Sequence, residues 1–427
     1  MSLSVPQGAA LTIGAVLGTG VISLPALAAD IAGPASMVAW VLLVALSVPL
    51  AATFAALGSR FPDSGGVSTY VRQAFGGHAA TAVGWCFYWS IPVGAPAAAL
   101  FAGNYVADAV GGGRDTSYLI GGVLIALVAA MNWFGLRVSG RAQLALAGVL
   151  ALLLLVTTLA ALPHASLGHL TPFAPHGWSA IGPAAALLVW GFAGWEAVTS
   201  LAGEYRNPVR DIPRATAIAL VVVGVLYLGV VAAALLVLGP AAGTSRAPLA
   251  DLLAIGFGEP ARAVTTVVAL LLTVGAMNAY YSGGSKLGAA MGRDGSLPAW
   301  FAAGSAAGEI PRRSLAVMLV LGLASHLACY VFHIGLSALV LLITGAFTLV
   351  YVLGTAAAVR LLPGGQARRV AVIAFVSVLV LLAMNGLHML WAFGVALAGL
   401  LYAVRRTAVA VPCSARGPGL GVSAVHQ

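Results

Sequence analysis

The chain has 427 residues, of which 61% are hydrophobic and only 7% are charged, and its formal net charge is +9. Soluble domains typically have about 25% charged residues, so this composition excludes an ordinary soluble protein and indicates a polytopic membrane protein. Basic residues retained in cytoplasmic loops account for a positive charge of this size, and it therefore does not require nucleic acid as a partner.

Twelve apolar stretches are long enough to cross a bilayer, whose hydrocarbon core of about 30 Å requires roughly 20 helical residues. The sequence therefore predicts an all-α integral membrane fold with twelve transmembrane helices in a single polytopic domain, residues 1–406. We expect residues 407–427, which end in Ser, Gly, Pro and Ala, to form a disordered cytoplasmic tail. The predicted spans are 8–32, 34–58, 78–108, 117–135, 141–162, 181–203, 214–238, 262–285, 314–332, 335–361, 369–385 and 388–404.

The basic residues predict the orientation of these spans. With the N-terminus in the cytoplasm, the outer side holds only Arg114, Arg246 and Arg262, and every other Lys or Arg falls on the cytoplasmic side. We therefore expect a multi-pass protein of the cytoplasmic (inner) membrane with both termini in the cytoplasm. On this topology the segments 163–180 and 239–261 are external loops.

Two spans contain an interruption at mid-membrane. The first reads IGAVLGTGVISLPALAA, with Gly18, Thr19 and Gly20 at its centre, and the sixth reads AAALLVWGFAGWEA, with Gly191 and Gly194 close together. Helices 1 and 6 each begin a group of five, so the second group enters the membrane in the opposite sense. Interrupted spans at corresponding places indicate a transporter site. The alternative is that the glycines only allow close helix packing.

An interrupted helix provides unpaired backbone groups. N–H groups at the start of one half-helix suit a carboxylate, and carbonyls at the end of the other suit an ammonium group. The two interruptions therefore predict a site for a zwitterionic amino acid. Asn278, within GAMNAYYSGG of helix 8, is a candidate to line the same cavity.

Glu196 is the only acidic residue deep inside a predicted span. A charged side chain at the bilayer centre costs roughly 2.5–3.5 kcal/mol, so we predict that Glu196 exchanges a proton during transport or acts as a gate. The alternative is a permanently neutral acid hydrogen-bonded to a neighbouring helix. The sequence contains no catalytic constellation or phosphate-binding loop, and Cys86, Cys329 and Cys413 have no paired spacing. We therefore predict no enzymatic activity, no metal site and no cofactor other than a coupling proton.

These motifs resemble the amino acid–polyamine–organocation superfamily of permeases. GTGVISLPA matches its first-helix signature, and WGFAGWEA followed by EYRNPVRDIPRA matches its sixth-helix signature. FPDSGGVSTYVRQAFG and AAMGRDGSLPAWFA match its two cytoplasmic signatures. Within the superfamily, the chain is most similar to the bacterial methionine and branched-chain amino-acid exporters.

The resemblance implies a LeuT-like fold of two inverted five-helix repeats, placed here at residues 8–162 and 181–361, with two further helices at 369–404. It also implies an aromatic gate and an acid for proton-linked gating. Helix 5 lacks the lysine that several members carry; the corresponding position is close to Leu150. The resemblance places the substrate carboxylate near the backbone of Thr19, Gly20 and Val21, the amino group near carbonyls around Val16, Trp190 and Ala193, the gate at Trp190 and the acid at Glu196. The complete predicted site is Val16, Gly18, Thr19, Gly20, Val21, Trp190, Phe192, Ala193, Gly194, Glu196 and Asn278.

We predict a secondary active transporter of neutral apolar amino acids, of the methionine, leucine, isoleucine and valine class, that exports them in exchange for protons by alternating access. A cavity with one acid disfavours cationic substrates. A proton-coupled importer and an amino-acid exchanger are the alternatives, because gradients set the direction, and a channel is a distant one. The expected partners are small amino acids and the lipid bilayer, and a homodimer is left open.

Overall fold

The structure is a computed structural model that describes residues 4–61, 66–136, 140–196, 205–306 and 309–409. Within these ranges the fold is helical, and ten helices are long and apolar enough to cross a membrane. The α-helices are α1 (Val5–Val16), α2 (Leu24–Ala32), α3 (Ser36–Arg60), α4 (Gly66–Phe75), α5 (Gly77–Ala109), α6 (Arg114–Trp133), α7 (Gly140–Ala161), α8 (Ile181–Phe192), α9 (Pro208–Ala233), α10 (Pro248–Phe257), α11 (Ala261–Arg293), α12 (Arg312–Val331), α13 (Leu336–Leu361), α14 (Gln366–Met384) and α15 (Met389–Val409).

The first predicted span is divided into α1 and α2. A 3₁₀ turn over Thr19–Ile22 separates the two helices. Glycine is about 1 kcal/mol less favourable than alanine in a helix interior, so Gly18 and Gly20 lower the cost of leaving the helix here. Pro25 lies in the first turn of α2, where its missing N–H removes no helical hydrogen bond. The interruption is present where the sequence predicts it.

The sixth predicted span begins as α8, which ends at Phe192. Ala193 is extended, with φ −69° and ψ 136°, and Gly194 has φ +127°, a region that residues with a Cβ rarely adopt. Residues 197–203, which are the predicted second half of this span, lie outside the described residues.

The two interrupted helices meet at the centre of the molecule. α2 packs against α8, while α1 packs against α7 and α9. Trp40 of α3 is fully buried beside them, with ring centroids 5.9 Å from Phe192 and 5.3 Å from Tyr227. Such edge and tilted aromatic contacts add stability beyond the buried area. The long helix α5 forms the opposite wall of the region in which the two interruptions meet, and it packs against α6, α11, α12, α13 and α15.

The structure differs from the sequence prediction at three boundaries. The predicted external loop 239–261 contains α10, because Pro248 at its start is followed by the apolar run LADLLAIGF, whose inner face is buried. α11 continues to Arg293, beyond the predicted end at residue 285. α15 continues to Val409, and the rest of the predicted tail lies outside the described residues.

Candidate functional site

A cavity of about 500 Å³ lies where the two interrupted helices meet. Helices α5, α7, α11 and α13 complete its walls, and most of its lining side chains are small or aliphatic. Among the described residues that line it, Glu196 is the only one with an ionisable acid or base of the Asp, Glu, Lys, Arg or His type. The predicted site residues that line the cavity are Val16, Gly18, Thr19, Gly20, Trp190, Ala193, Gly194 and Glu196.

Three predicted site residues lie outside the cavity lining. Val21 is fully buried, and Phe192 packs on the opposite side of α8, against Trp40 and Tyr227. Asn278 is also buried, and its amide donates a hydrogen bond to the Leu136 carbonyl at 3.1 Å. Asn278 is therefore not among the cavity-lining residues, although its neighbours Met277 and Ala279 are, and its role in the site stays a prediction.

The backbone around Gly18 is open towards the cavity. A Cβ built on Gly18 meets only the Ala15 carbonyl oxygen, at 3.9 Å. The first N–H groups of the following turn, Thr19–Ile22, have no partner within that turn, and Thr19 and Gly20 line the cavity. This arrangement can bind a carboxylate.

The carbonyls at the ends of α1 and α8 share one hydroxyl group, which the sequence analysis did not anticipate. Tyr227 of α9 is fully buried, and its single O–H is shared between two acceptors, the Val16 carbonyl at 2.9 Å and the Gly191 carbonyl at 2.7 Å. A carbonyl oxygen has two lone pairs, so the Val16 carbonyl keeps one for a further donor. A substrate ammonium group would therefore bind beside the Tyr227 hydroxyl and not at an unoccupied carbonyl.

The two interruptions touch backbone to backbone at Gly194. A Cβ on this residue would lie 2.8 Å from the Ala15 carbonyl oxygen and 3.1 Å from the Val16 nitrogen. Together with its φ of +127°, this contact makes glycine a requirement at the position. The geometry of one interruption therefore depends directly on the other.

Glu196 joins the second interruption to α13. Its carboxylate accepts the Gly194 N–H at 3.0 Å and a short hydrogen bond from the Tyr351 hydroxyl. The Tyr351 hydroxyl also accepts from the Gly194 N–H at 3.2 Å, and its ring packs on Phe54 with centroids 5.6 Å apart. Tyr351 is a further functional candidate; its only sequence signal is a phenol within the apolar run AFTLVYVLG.

Trp190 closes one end of the cavity. Its ring meets Phe101 edge-on at 5.6 Å, and its Cδ1 lies 2.7 Å from where a Gly20 Cβ would be. Beyond Trp190 the cavity is lined by α1 as far as Ala10, near the start of that helix. None of the described residues of α2 lines the cavity. Among the described residues, the lining therefore extends towards the end of the molecule at which α1 begins, and it does not reach the opposite end, which we call the sealed face.

No group of three or more His, Cys, Asp or Glu side chains that could hold a metal occurs in the described part of the chain. The prediction that transport needs no cofactor beyond a proton stays a prediction.

Comparison with known proteins adds independent information. The chain matches the family model described as amino acid permease over residues 3–410. It is 34% identical over 404 residues to the uncharacterized amino acid permease YecA of Bacillus subtilis, which covers 93% of this chain and 94% of the relative. It is also 34% identical over 406 residues to the L-methionine/branched-chain amino acid exporter YjeH of Escherichia coli, again over 93% and 94% of the two chains.

Proposed function

The chain belongs to the amino acid permease family, and on that premise we propose that it exports neutral apolar amino acids in exchange for protons. The observation that carries the proposal is the cavity at the two helix interruptions, whose described lining combines exposed backbone groups, an apolar wall and a single acid, Glu196. The exporter among its relatives supports the direction and the methionine, leucine, isoleucine and valine class.

In the proposed pose the substrate lies across both interruptions. Its carboxylate accepts from the backbone N–H groups of the turn after α1, at the cavity-lining Thr19 and Gly20 and at the adjoining Val21, whose side chain is turned into the core. Its ammonium group donates to carbonyls at the ends of α1 and α8. The substrate side chain then faces the aliphatic lining from α5 and α13, which includes Ala98 and Ile343. An apolar wall binds an apolar side chain and leaves a charged one without a partner, so cationic substrates are disfavoured.

We assign the coupling proton to Glu196. Its carboxyl group lines the cavity and also binds the backbone of the second interruption through Gly194. Protonation would alter these hydrogen bonds, so loading of the proton and the geometry of the substrate site are linked. This linkage is what an antiporter requires, because proton and substrate must bind alternately.

The architecture that we propose has twelve transmembrane helices. Residues 8–162 and 181–361 form two inverted five-helix repeats, residues 369–404 add two helices, and both termini face the cytoplasm. During alternating access this cavity, which extends towards the face where α1 begins, would close, and a cavity that is open to the opposite face would form. A homodimer is compatible with this arrangement.

Counterflow in proteoliposomes tests the proposed function. Labelled methionine and leucine should exchange against internal unlabelled substrate, isoleucine and valine should compete, and lysine and glutamate should not. An imposed pH gradient should drive net flux. Protein-free liposomes give the background. Counterflow that does not respond to the pH gradient would exclude proton coupling and support an amino-acid exchanger. The absence of counterflow with any amino acid would overturn the proposed substrate class.

A further inference from the structure

We propose that an anionic phospholipid binds at a surface formed by Trp133, Phe134, Trp300, Arg312 and Arg313, which we call the arginine–tryptophan surface. It lies at the ends of α6 and α12, on the membrane face where α1 begins. This binding site is separate from the cavity, and it stands whether or not the proposed transport function is correct.

Each arginine of this surface lies over a tryptophan ring. The guanidinium carbon of Arg312 is 5.6 Å from the centroid of Trp133, and that of Arg313 is 5.4 Å from the centroid of Trp300. Arg313 also donates to the Trp300 carbonyl at 3.3 Å. Cation–π contacts of this kind orient the guanidinium plane without using up its N–H donors.

The charge of the two arginines is not balanced within the described residues, where neither forms an ion pair with Asp or Glu. Both side chains are exposed. A guanidinium has five N–H donors, so the pair can still donate several hydrogen bonds to an external anion. By contrast, the nearby Arg293 already binds Asp294 at 3.2 Å.

The apolar part of the surface is held in place from behind. Phe134 is 74% exposed and Trp300 is 51% exposed. The adjoining Leu136 carbonyl accepts the hydrogen bond from Asn278, so the segment that carries Phe134 is fixed to α11. Trp133 is the last residue of α6, and Arg312 is the first of α12. Residues at these helix ends lie at the bilayer boundary, where tryptophan is favoured.

A phosphodiester with a net negative charge matches both halves of this surface. Its oxygens can accept the charge-assisted N–H bonds of the arginines, while its acyl chains contact the exposed aromatic rings. A zwitterionic lipid carries its own ammonium group, which weakens the attraction to a second cation. A free phosphate would leave the aromatic rings unused. A phospholipid with a net negative charge therefore fits the surface, and phosphatidylglycerol is the probe of this class used in the test below.

Tryptophan quenching by brominated lipids tests this site. The full chain is placed in phosphatidylcholine nanodiscs that contain increasing fractions of acyl-brominated phosphatidylglycerol or acyl-brominated phosphatidylcholine. We expect stronger quenching by the anionic lipid, and a smaller difference after Trp300→Phe. A basic residue near the membrane surface contributes about fivefold in affinity for anionic lipid, so the double variant Arg312→Gln/Arg313→Gln should remove most of the difference.

A matched control is available on the same membrane face. Arg368 and Arg369 are likewise adjacent and exposed near the start of α14, but among the described residues they contact no aromatic ring at cation–π distance. Arg368→Gln/Arg369→Gln should leave the lipid difference unchanged. Arg312→Lys/Arg313→Lys, which keeps charge and fold, should reduce it partly, because lysine cannot form the planar stack.

Three results would overturn the proposal. Equal quenching by the two lipids would remove the preference for an anionic headgroup. An equal loss in both double glutamine variants would mean that overall surface charge, and not this surface, attracts the lipid. Displacement of the brominated lipid by millimolar inorganic phosphate would identify a site for a free anion.

Discussion

The carboxyl group of Glu196, the hydroxyl of Tyr351 and the Gly194 N–H form one shared set of hydrogen bonds. The Tyr351 hydroxyl therefore occupies one of the positions at which the carboxyl group could accept a hydrogen bond or release a proton. In the proposed mechanism the carboxyl group must gain and lose a proton. Glu196→Gln keeps the shape but cannot exchange a proton. We expect this variant to retain counterflow and to lose the response to an imposed pH gradient, as measured in proteoliposomes.

Tyr351→Phe is the companion variant, since it keeps the acid and removes its donor. A hydrogen bond to a charged group contributes about 1.5–3 kcal/mol, so transport should slow by roughly 10-fold to 150-fold if the whole bond is lost in the rate-limiting state. The response to the gradient should remain. A normal gradient response in Glu196→Gln would show that this acid is not the coupling group.

Tyr227 supplies the only side-chain hydroxyl that, within the described residues, bonds to the ends of both α1 and α8. Tyr227→Phe leaves two buried carbonyls without this donor, at an expected cost of about 1–3 kcal/mol. The variant should unfold at a lower temperature in detergent and show a raised KM for amino acids. Tyr402→Phe serves as the control, because no hydroxyl partner of Tyr402 occurs among the described residues. Equal stability of the two variants would contradict the capping role.

At the level of elements, the contact between the two interrupted helices depends on Gly194. Its φ of +127° disfavours any residue with a Cβ, by about 1–3 kcal/mol, and the added carbon would also press on the Ala15 carbonyl oxygen at 2.8 Å. Gly194→Ala should therefore abolish counterflow even where the protein is still inserted. Gly148→Ala in α7 is the control, because a Cβ there meets nothing within 4 Å. Transport by Gly194→Ala at the normal rate would show that the two helix ends need not touch.

The interruption of the first span and the end of α8 could be predicted from sequence because their causes are local. Gly18 and Gly20 weaken one helix within three residues, and Pro25 marks where it resumes. The helix α10 was missed because a ten-residue apolar run inside a loop is too short to read as a span. Length and hydropathy identify elements that cross the membrane, whereas a short helix is stabilised by what it packs on.

The partners of the site residues could not be predicted in this way. Tyr351 is 155 residues from Glu196, and Tyr227 is 211 residues from Val16. Neither pair has a sequence pattern, since both tyrosines lie within apolar runs of their helices, VVVGVLYLGVV and LVYVLG. The cavity-lining face of α11 could not be predicted for a related reason: within GAMNAYYSGG the sequence does not distinguish Asn278 from Met277 and Ala279, and it is Met277 and Ala279 that line the cavity.

On the scale of the whole molecule, one arginine at the sealed face joins three helices, α5, α10 and α11. Arg262 at the start of α11 bonds to Asp108 at the end of α5, at 3.0 Å, and to Asp251 of α10, at 2.6 Å. Tyr105 extends this connection inwards, because its hydroxyl accepts the Leu249 N–H of α10 at 3.2 Å and donates to the Ile22 carbonyl at 2.6 Å. Helix α10 is thus linked directly to the interruption of the first span.

Breaking this connection should favour opening of the sealed face. Partly exposed ion pairs contribute about 0.2–1 kcal/mol each, so losing the two interhelical pairs in Arg262→Gln should raise the open population by roughly twofold to thirtyfold. Ala15 is exposed to the cavity, so Ala15→Cys in a chain without its native cysteines reports access. An impermeant thiol reagent applied from the face that we propose to be external should label this cysteine faster in Arg262→Gln than in the parent.

Arg246→Gln is the matched control for this labelling experiment. Arg246 lies on the same face, but among the described residues its side chain makes only a long hydrogen bond, of 3.4 Å, to the Gly112 carbonyl. A general loss of positive charge would change labelling equally in both variants, whereas a specific connection through Arg262 changes it in one. High salt should accelerate labelling of the parent towards the Arg262→Gln rate, because screening weakens exposed ion pairs. A labelling rate that responds to neither the substitution nor salt would mean that the sealed face is closed by Trp190 and its packing alone.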